Sequence, residues 1–186
     1  MKDDIDRALR TLNEGGVILY PTDTIWGLGC DATNEKAVSR IYSIKHREDT
    51  KSMLLLLHTE NLLPSYVDEI PEVAWELIDA AIEPLTIIYP GAKNIAQNLI
   101  SQDQTIGIRI TKDEFCSQLI AKFRKPIVST SANISGAQSP ANYSEIDNSI
   151  LEQVDYIVTW RQDDRSKSKP SSIIKLGKGG EIKILR

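Results

Sequence analysis

Apolar residues recur along the chain with two periods, and the switches between those periods mark out its elements. Ile5, Ala8, Leu9 and Leu12 stand at helical spacing, and Gly15-Gly16 predicts a left-handed end to that helix. Val17-Ile18-Leu19-Tyr20 reads as a short buried strand closed by Pro21. Ala37, Val38, Ile41 and Ile44 mark a second helix, with Asn34 placed to be its N-cap. The unbroken apolar run from Met53 to Leu57 predicts a strand covered on both faces. Pro71 opens a helix whose Val73, Ala74, Leu77, Ile78 and Ala81 share one face. Strand patterns follow at 85–89 and 105–110, then a helix over 113–123 and a strand over 126–130. A shorter helix over 143–151 and a strand over 155–160 come next. Two β-rich runs, 172–176 and 181–185, close the chain. The Gly177-Lys178-Gly179-Gly180 between them reads as a hairpin turn rather than a phosphate loop.

Strands alternating with helices predict an α/β layer architecture. The closing strands have no helix between them, so the sheet should be mixed rather than wholly parallel. Neither an internal repeat nor a linker breaks the pattern. The expectation is a single domain over 1–186, a twisted mixed sheet flanked by helices.

Composition narrows the function more than the fold. At 186 residues the chain is long enough to bury a core without staples. Its 22 basic and 26 acidic side chains argue against broad, non-specific nucleic-acid binding. Cys30 and Cys116 fit no metal spacing, and His46 and His58 do not supplement them, so neither a zinc site nor a disulfide framework is expected. The charged start MKDDIDRALR predicts no secretory leader, and no apolar run reaches the roughly 18 residues of a membrane span. A soluble, cytoplasmic protein is the expectation. The charge is uneven: residues 1–160 carry a net of -9, residues 161–186 a net of +5. The polar, unperiodic stretch 161–170 reads equally as a solvated connector or an anion-handling lid.

Three segments carry candidate chemistry. Tyr20-Pro21-Thr22-Asp23-Thr24-Ile25-Trp26-Gly27-Leu28-Gly29 leaves a buried strand with two hydroxyls, a carboxylate, an indole and two glycines. Open α/β sheets bind ligands at the carboxyl ends of strands, although a structural turn accounts for this stretch equally well. Lys45-His46-Arg47-Glu48-Asp49-Thr50-Lys51 sets three cations before a buried strand. They suit a polyphosphate, or merely the negative end of the preceding helix. Ser129-Thr130-Ser131-Ala132-Asn133-Ile134-Ser135-Gly136 offers hydroxyls and an amide at a strand end, where donors bind phosphate oxygens without a formal charge, or where a polar turn forms. Nothing resembles a Gly-x-Ser-x-Gly elbow, so serine nucleophilic chemistry is not expected. Arg109 lies inside an apolar strand and needs an anionic partner or a route to water.

In order and spacing, Tyr20-Pro21-Thr22-Asp23-Thr24, Lys45-x-Arg47 and Ser129–Gly136 resemble the YrdC-type L-threonylcarbamoyladenylate synthase family, from about Gly15 onward. The resemblance implies a YrdC-like fold in its short, single-domain form. It also implies an enzyme, a nucleotidyltransferase making threonylcarbamoyl-AMP and pyrophosphate from L-threonine, bicarbonate and ATP for N6-threonylcarbamoyladenosine modification of tRNA. By matching position, Lys45 and Arg47 would be catalytic. ATP would be held by Lys45, Arg47, Lys51, Thr105, Ser131, Asn133 and Arg186. Threonine would be held by Thr24, Arg109, Ser129 and Ser171. Mg²⁺ would enter with ATP, with no tightly bound cofactor and no protein-held metal. The partners implied are the downstream tRNA threonylcarbamoyl transferase machinery and a weak RNA contact, with no membrane. Glu48, Leu56 and Glu83 depart from the family's usual residues. The competing readings are an RNA-binding, translation-associated module and a YciO-like paralogue with little synthase activity.

Overall fold

The structure, a computed structural model, describes residues 1–46, 53–166 and 169–186. Among them a nine-stranded sheet runs in the order β7-β1-β2-β6-β3-β5-β4-β8-β9. The strands are β1 Ile18–Tyr20, β2 Gly27–Gly29, β3 Leu54–Leu57, β4 Leu85–Pro90, β5 Thr105–Ile110, β6 Ile127–Ser131, β7 Tyr156–Ile157, β8 Ser172–Leu176 and β9 Ile182–Ile184. The helices are α1 Lys2–Asn13, α2 Glu35–Ile44, α3 Leu63–Tyr66, α4 Glu72–Ala80, α5 Glu114–Phe123 and α6 Asn148–Leu151. The sheet is mixed, as expected: β3–β5 and β4–β8 pair parallel, while β3–β6, β4–β5 and β8–β9 pair antiparallel.

Both faces of β3 are covered. Leu55 and Leu57 join the core that includes Val38 and Ile41 of α2 and Ala74 of α4. Leu56 points the other way, to Ile5, Ala8 and Leu12 of α1 and to Phe115, Leu119 and Ile120 of α5. Two hydrophobic layers therefore sandwich the sheet, the arrangement that an unbroken apolar strand demands. Asn34 caps α2 by accepting from Lys36 N and Ala37 N. Gly15 adopts φ 77 beyond α1, and the 177–180 stretch is the β8–β9 hairpin turn. No helix among the described residues is long and apolar enough to cross a membrane.

The pattern reading does not expect the short α3, Leu63–Tyr66, and three further elements differ from it. Gly27-Leu28-Gly29, too glycine-rich to announce a strand, is β2 and sits between β1 and β6. Glycine is needed there because a Cβ on Gly29 would lie 2.6 Å from Cε1 of Tyr20 and 2.8 Å from the Val128 carbonyl oxygen. The helix expected over 143–151 divides into a 3₁₀ turn, Tyr143–Glu145, and α6. Asn142 caps the first and Asp147 the second, so two capping residues inside one polar stretch start two short helices. The strand expected over 155–160 is reduced to Tyr156–Ile157, because Thr159 N donates to the Asp4 carboxylate at 2.7 Å instead of to a neighbouring strand.

Candidate active site

Cross-strand partners share a face, so the registers lay out a floor residue by residue. One row runs Ile127, Leu56, Arg109, Thr86, Ile173 across β6, β3, β5, β4 and β8. The next runs Ser129, Leu54, Gly107, Ile88, Lys175 over the same five strands. Beside α1 and α5 these rows are covered; beyond the helices they are open. A cavity of about 420 Å³ lies there, lined by residues that include Thr24, Trp26 and Gly27 from the loop after β1, and Thr105, Arg109, Ser129, Ser131, Ser171 and Arg186. The bare Gly107 and Gly27 keep the floor low.

Seven of the residues singled out from the sequence thus meet in one cavity: Thr24, Thr105, Arg109, Ser129, Ser131, Ser171 and Arg186. Thr24 Oγ1 lies 2.9 Å from Thr22 Oγ1, which donates to the Ile25 carbonyl and so closes the Thr-Asp-Thr turn. Ser171 Oγ shares a hydrogen bond of 2.8 Å with Thr86 Oγ1, and Arg186 Nε donates to the Ser171 carbonyl at 3.0 Å. Arg109 is 3% exposed, and its Nη2 stands 3.1 Å from Oδ1 of Asp23. Asp23 in turn accepts from Thr111 Oγ1 at 3.2 Å and Lys112 N at 3.4 Å. The anionic partner that Arg109 requires is therefore the Asp of the Pro-Thr-Asp-Thr segment. Nε of Arg109 has no hydrogen-bond partner among the described residues.

Lys45 and Asn133 stand one layer behind the wall. Nζ of Lys45 donates to the carbonyls of Ser131 and, at 2.6 Å, of Asn133, and the side chain is buried. Asn133 Nδ2 donates to the carbonyls of Ile134 and Ala137 at 2.9 and 2.8 Å, which folds the turn after β6 back on itself. The Lys45 and Ser-x-Asn segments, 86 residues apart in the chain, are thus tied together through the backbone. Arg47 and Lys51 lie outside the described residues, as does Glu48.

Two lining residues carried no mark in the sequence. Asp103 and Lys175 form an ion pair on the cavity wall. Asp103 also accepts from Thr105 Oγ1 at 2.8 Å, and the Lys175 hydrogen bond, with those from Ser101 and Thr105, holds its carboxyl well below the usual carboxylate range. Lys175 alternates with apolar residues along β8, a signal that an outward strand position also produces. Among the described residues no group of three His, Cys, Asp or Glu could hold a metal ion. Burial pushes the thiols of Cys30 and Cys116 up, away from nucleophilic use.

A second cavity, about 570 Å³, lies on the opposite face of β4 and β5 against Trp75, Ile78, Leu85, Ile87 and Tyr89. It is larger, and Asp23 and Glu83 line it, but none of the residues that the resemblance assigned to ATP or threonine does, and all its charged residues but Lys112 are carboxylates. Hydroxyl side chains together with Arg109, Lys175 and Arg186 line the first cavity instead.

An α/β domain with a cavity of this make-up, at the exposed end of a mixed sheet, belongs to the class of small-molecule enzymes that handle anionic substrates. The family described as Sua5_yciO_yrdC, telomere recombination, matches residues 10–186, and the chain belongs to that family. The chain is 37% identical over 157 residues to the threonylcarbamoyl-AMP synthase of Pseudoalteromonas translucida, covering 83% of this chain and 84% of the relative. Its fold is similar to that of E. coli YciO, with a TM-score of 0.85 and 26% identity over 100% of this chain and 89% of the other. It is also similar to P. abyssi Sua5 complexed with L-threonine, with a TM-score of 0.82 and 27% identity. That match covers 92% of this chain and 50% of Sua5, so the chain spans half of that protein's length.

Proposed function

We propose that the chain is a threonylcarbamoyl-AMP synthase, joining L-threonine, bicarbonate and ATP into threonylcarbamoyl-AMP and pyrophosphate. One observation carries the reading: a buried arginine and hydroxyl side chains from several separate segments, Thr24, Thr105, Ser129, Ser131 and Ser171 among them, line a single cavity in a chain 37% identical to a protein of that name. The threonine amine and bicarbonate give a carbamate with loss of water. A carbamate oxygen attacks the α-phosphorus of ATP, forming a mixed anhydride, and pyrophosphate leaves. No protein nucleophile is used. The work left to the protein is to hold the reactants together and to stabilise charge on the phosphate oxygens.

Arg109 pairs with the threonine carboxylate through its unpartnered edge, and Thr24, Ser129 and Ser171 orient the amino acid. Thr105, Ser131 and Arg186 face ATP. Lys45 and Asn133 fix the turn that presents Ser131, and Arg47 and Lys51 add charge at the phosphates. Mg²⁺ comes as the counter-ion of ATP and so as part of the substrate, bound through phosphate oxygens and water. The product serves tRNA threonylcarbamoylation in the cytoplasm.

The test is to incubate the protein with Mg-ATP, bicarbonate and threonine and to follow pyrophosphate with and without the amino acid. Release that depends on threonine and bicarbonate is the expected result. Release without threonine, or none, would leave a YciO-like protein of the same fold, and tight RNA binding that weakens steeply with salt would favour the translation-associated reading.

A further inference from the structure

We propose that Lys175 is a phosphate-binding side chain of this site, with Asp103 as the carboxylate that holds it until a phosphate takes that place; the assignment rests on the synthase reading. Four observations lead there. Lys175 and Asp103 both line the 420 Å³ cavity. Lys175 ends the floor row Leu54, Gly107, Ile88, Lys175, on the same face as Arg109 but two strands away and one pleat along. Strand spacing and rise put their Cα atoms about 12 Å apart. That is room for an amino acid at Arg109 and a phosphate chain reaching Lys175.

The charge accounting is the third observation. Arg109 is balanced by Asp23, and Lys45 is turned to backbone carbonyls behind the wall. Arg186 is tethered through Nε to the Ser171 carbonyl. Lys175 is different: its partner is a half-exposed carboxylate, and the side chain is itself 36% exposed. An ion pair in that setting is worth little in water, so a polyphosphate competes for the ammonium at small cost.

Fourth, Lys183 stands directly opposite Lys175 on β9 and shares its face. Like charges at that position are mildly unfavourable unless an anion lies between them. Asp103 supplies one negative charge. A triphosphate supplies more, and the hairpin's positive face suits it. The thread from Thr105 Oγ1 through Asp103 to Lys175 also ties a predicted ATP residue to this new one.

Direct binding of ATP and of adenosine by titration calorimetry, alongside pyrophosphate release, tests the assignment in wild type, Lys175→Gln, Lys175→Arg and Asp103→Asn. Lys175→Gln should weaken ATP binding at least about tenfold, leave adenosine binding and the KM for threonine unchanged, and keep the wild-type Tm. Lys175→Arg should recover most of the lost affinity. Asp103→Asn keeps the acceptor for Ser101 and Thr105, removes the competing charge, and should tighten ATP about threefold. An unchanged ATP affinity in Lys175→Gln, with wild type active, overturns the Lys175 assignment and leaves the synthase reading standing. A wild-type protein that neither binds ATP nor makes the product overturns both.

Discussion

Arg109 on β5 and Asp23 in the loop after β1 form an ion pair at 3.1 Å with only 3% and 14% of their side chains exposed. The pair joins the floor of the candidate site to the turn that carries Thr24. Removing one partner strands the other's charge away from water. Asp23→Ala should therefore lower the unfolding free energy by about 3–5 kcal/mol. Asp23→Asn, which keeps an acceptor for Thr111, should cost less. Urea unfolding of the two variants checks this, and an Asp23→Ala midpoint equal to wild type would refute it.

Lys45 supplies protons to two carbonyls of the turn after β6. Lys45→Met leaves the Asn133 carbonyl without its lysine donor, at about 1–3 kcal/mol for a buried acceptor, while the Ser131 carbonyl keeps its bond from Asn133 N at 2.9 Å. It should also release Ser131 from its position and cut threonine-dependent pyrophosphate release at least tenfold, about 1.4 kcal/mol of barrier. Thermal unfolding and turnover measured together separate the two effects. A variant as fast as wild type would show that the turn needs no lysine.

Gly29 lies where β2 crosses over the Tyr20 ring. A methyl group there meets Cε1 at 2.6 Å and a backbone oxygen at 2.8 Å, and the oxygen belongs to a central strand that cannot yield. Gly29→Ala should destabilise the fold by about 1–3 kcal/mol, the usual range for overpacking. Gly136, whose added Cβ meets nothing within 4 Å, has φ 88, so Gly136→Ala is strained by backbone alone. Its penalty should be the smaller one in a denaturant series.

Acid should weaken the anchor of α1. Burial pushes the Asp4 carboxyl up, but hydrogen bonds from Tyr156 and Thr159 together outweigh it, so its pKa is lowered. A carboxyl depressed in the folded state stabilises fully above the unfolded value, near 3.9, and loses that contribution as pH falls through the folded value. Tm should fall as pH drops below about 4 in wild type, and less steeply in Asp4→Asn. Equal slopes in both proteins would remove Asp4 from the acid response.

Periodicity revealed the sheet's central strands and the long helices because their apolar residues face one or two cores. It missed β2, where packing demands the absence of side chains and so leaves no apolar signal. It overextended 155–160, where a carboxylate from α1, more than 150 residues away, takes the Thr159 amide just beyond the strand. The cavity's lining was legible where short motifs bring hydroxyls into one chain segment, as in the Thr-Asp-Thr and Ser-x-Asn stretches. It was not legible at Asp103 and Lys175. Each is an ordinary charged residue in its own neighbourhood, and only the β5–β4 and β4–β8 registers together put them side by side.

The β9 strand ends the sheet with Ile182 and Ile184 at 49% and 77% exposure. An uncapped edge with greasy side chains is a place where one chain can adhere to the next. Lys178 and Lys183 sit on the same hairpin and repel an approaching copy. That repulsion is screened by electrolyte, so the protein should stay monodisperse in dilute buffer and begin to clump as ionic strength rises.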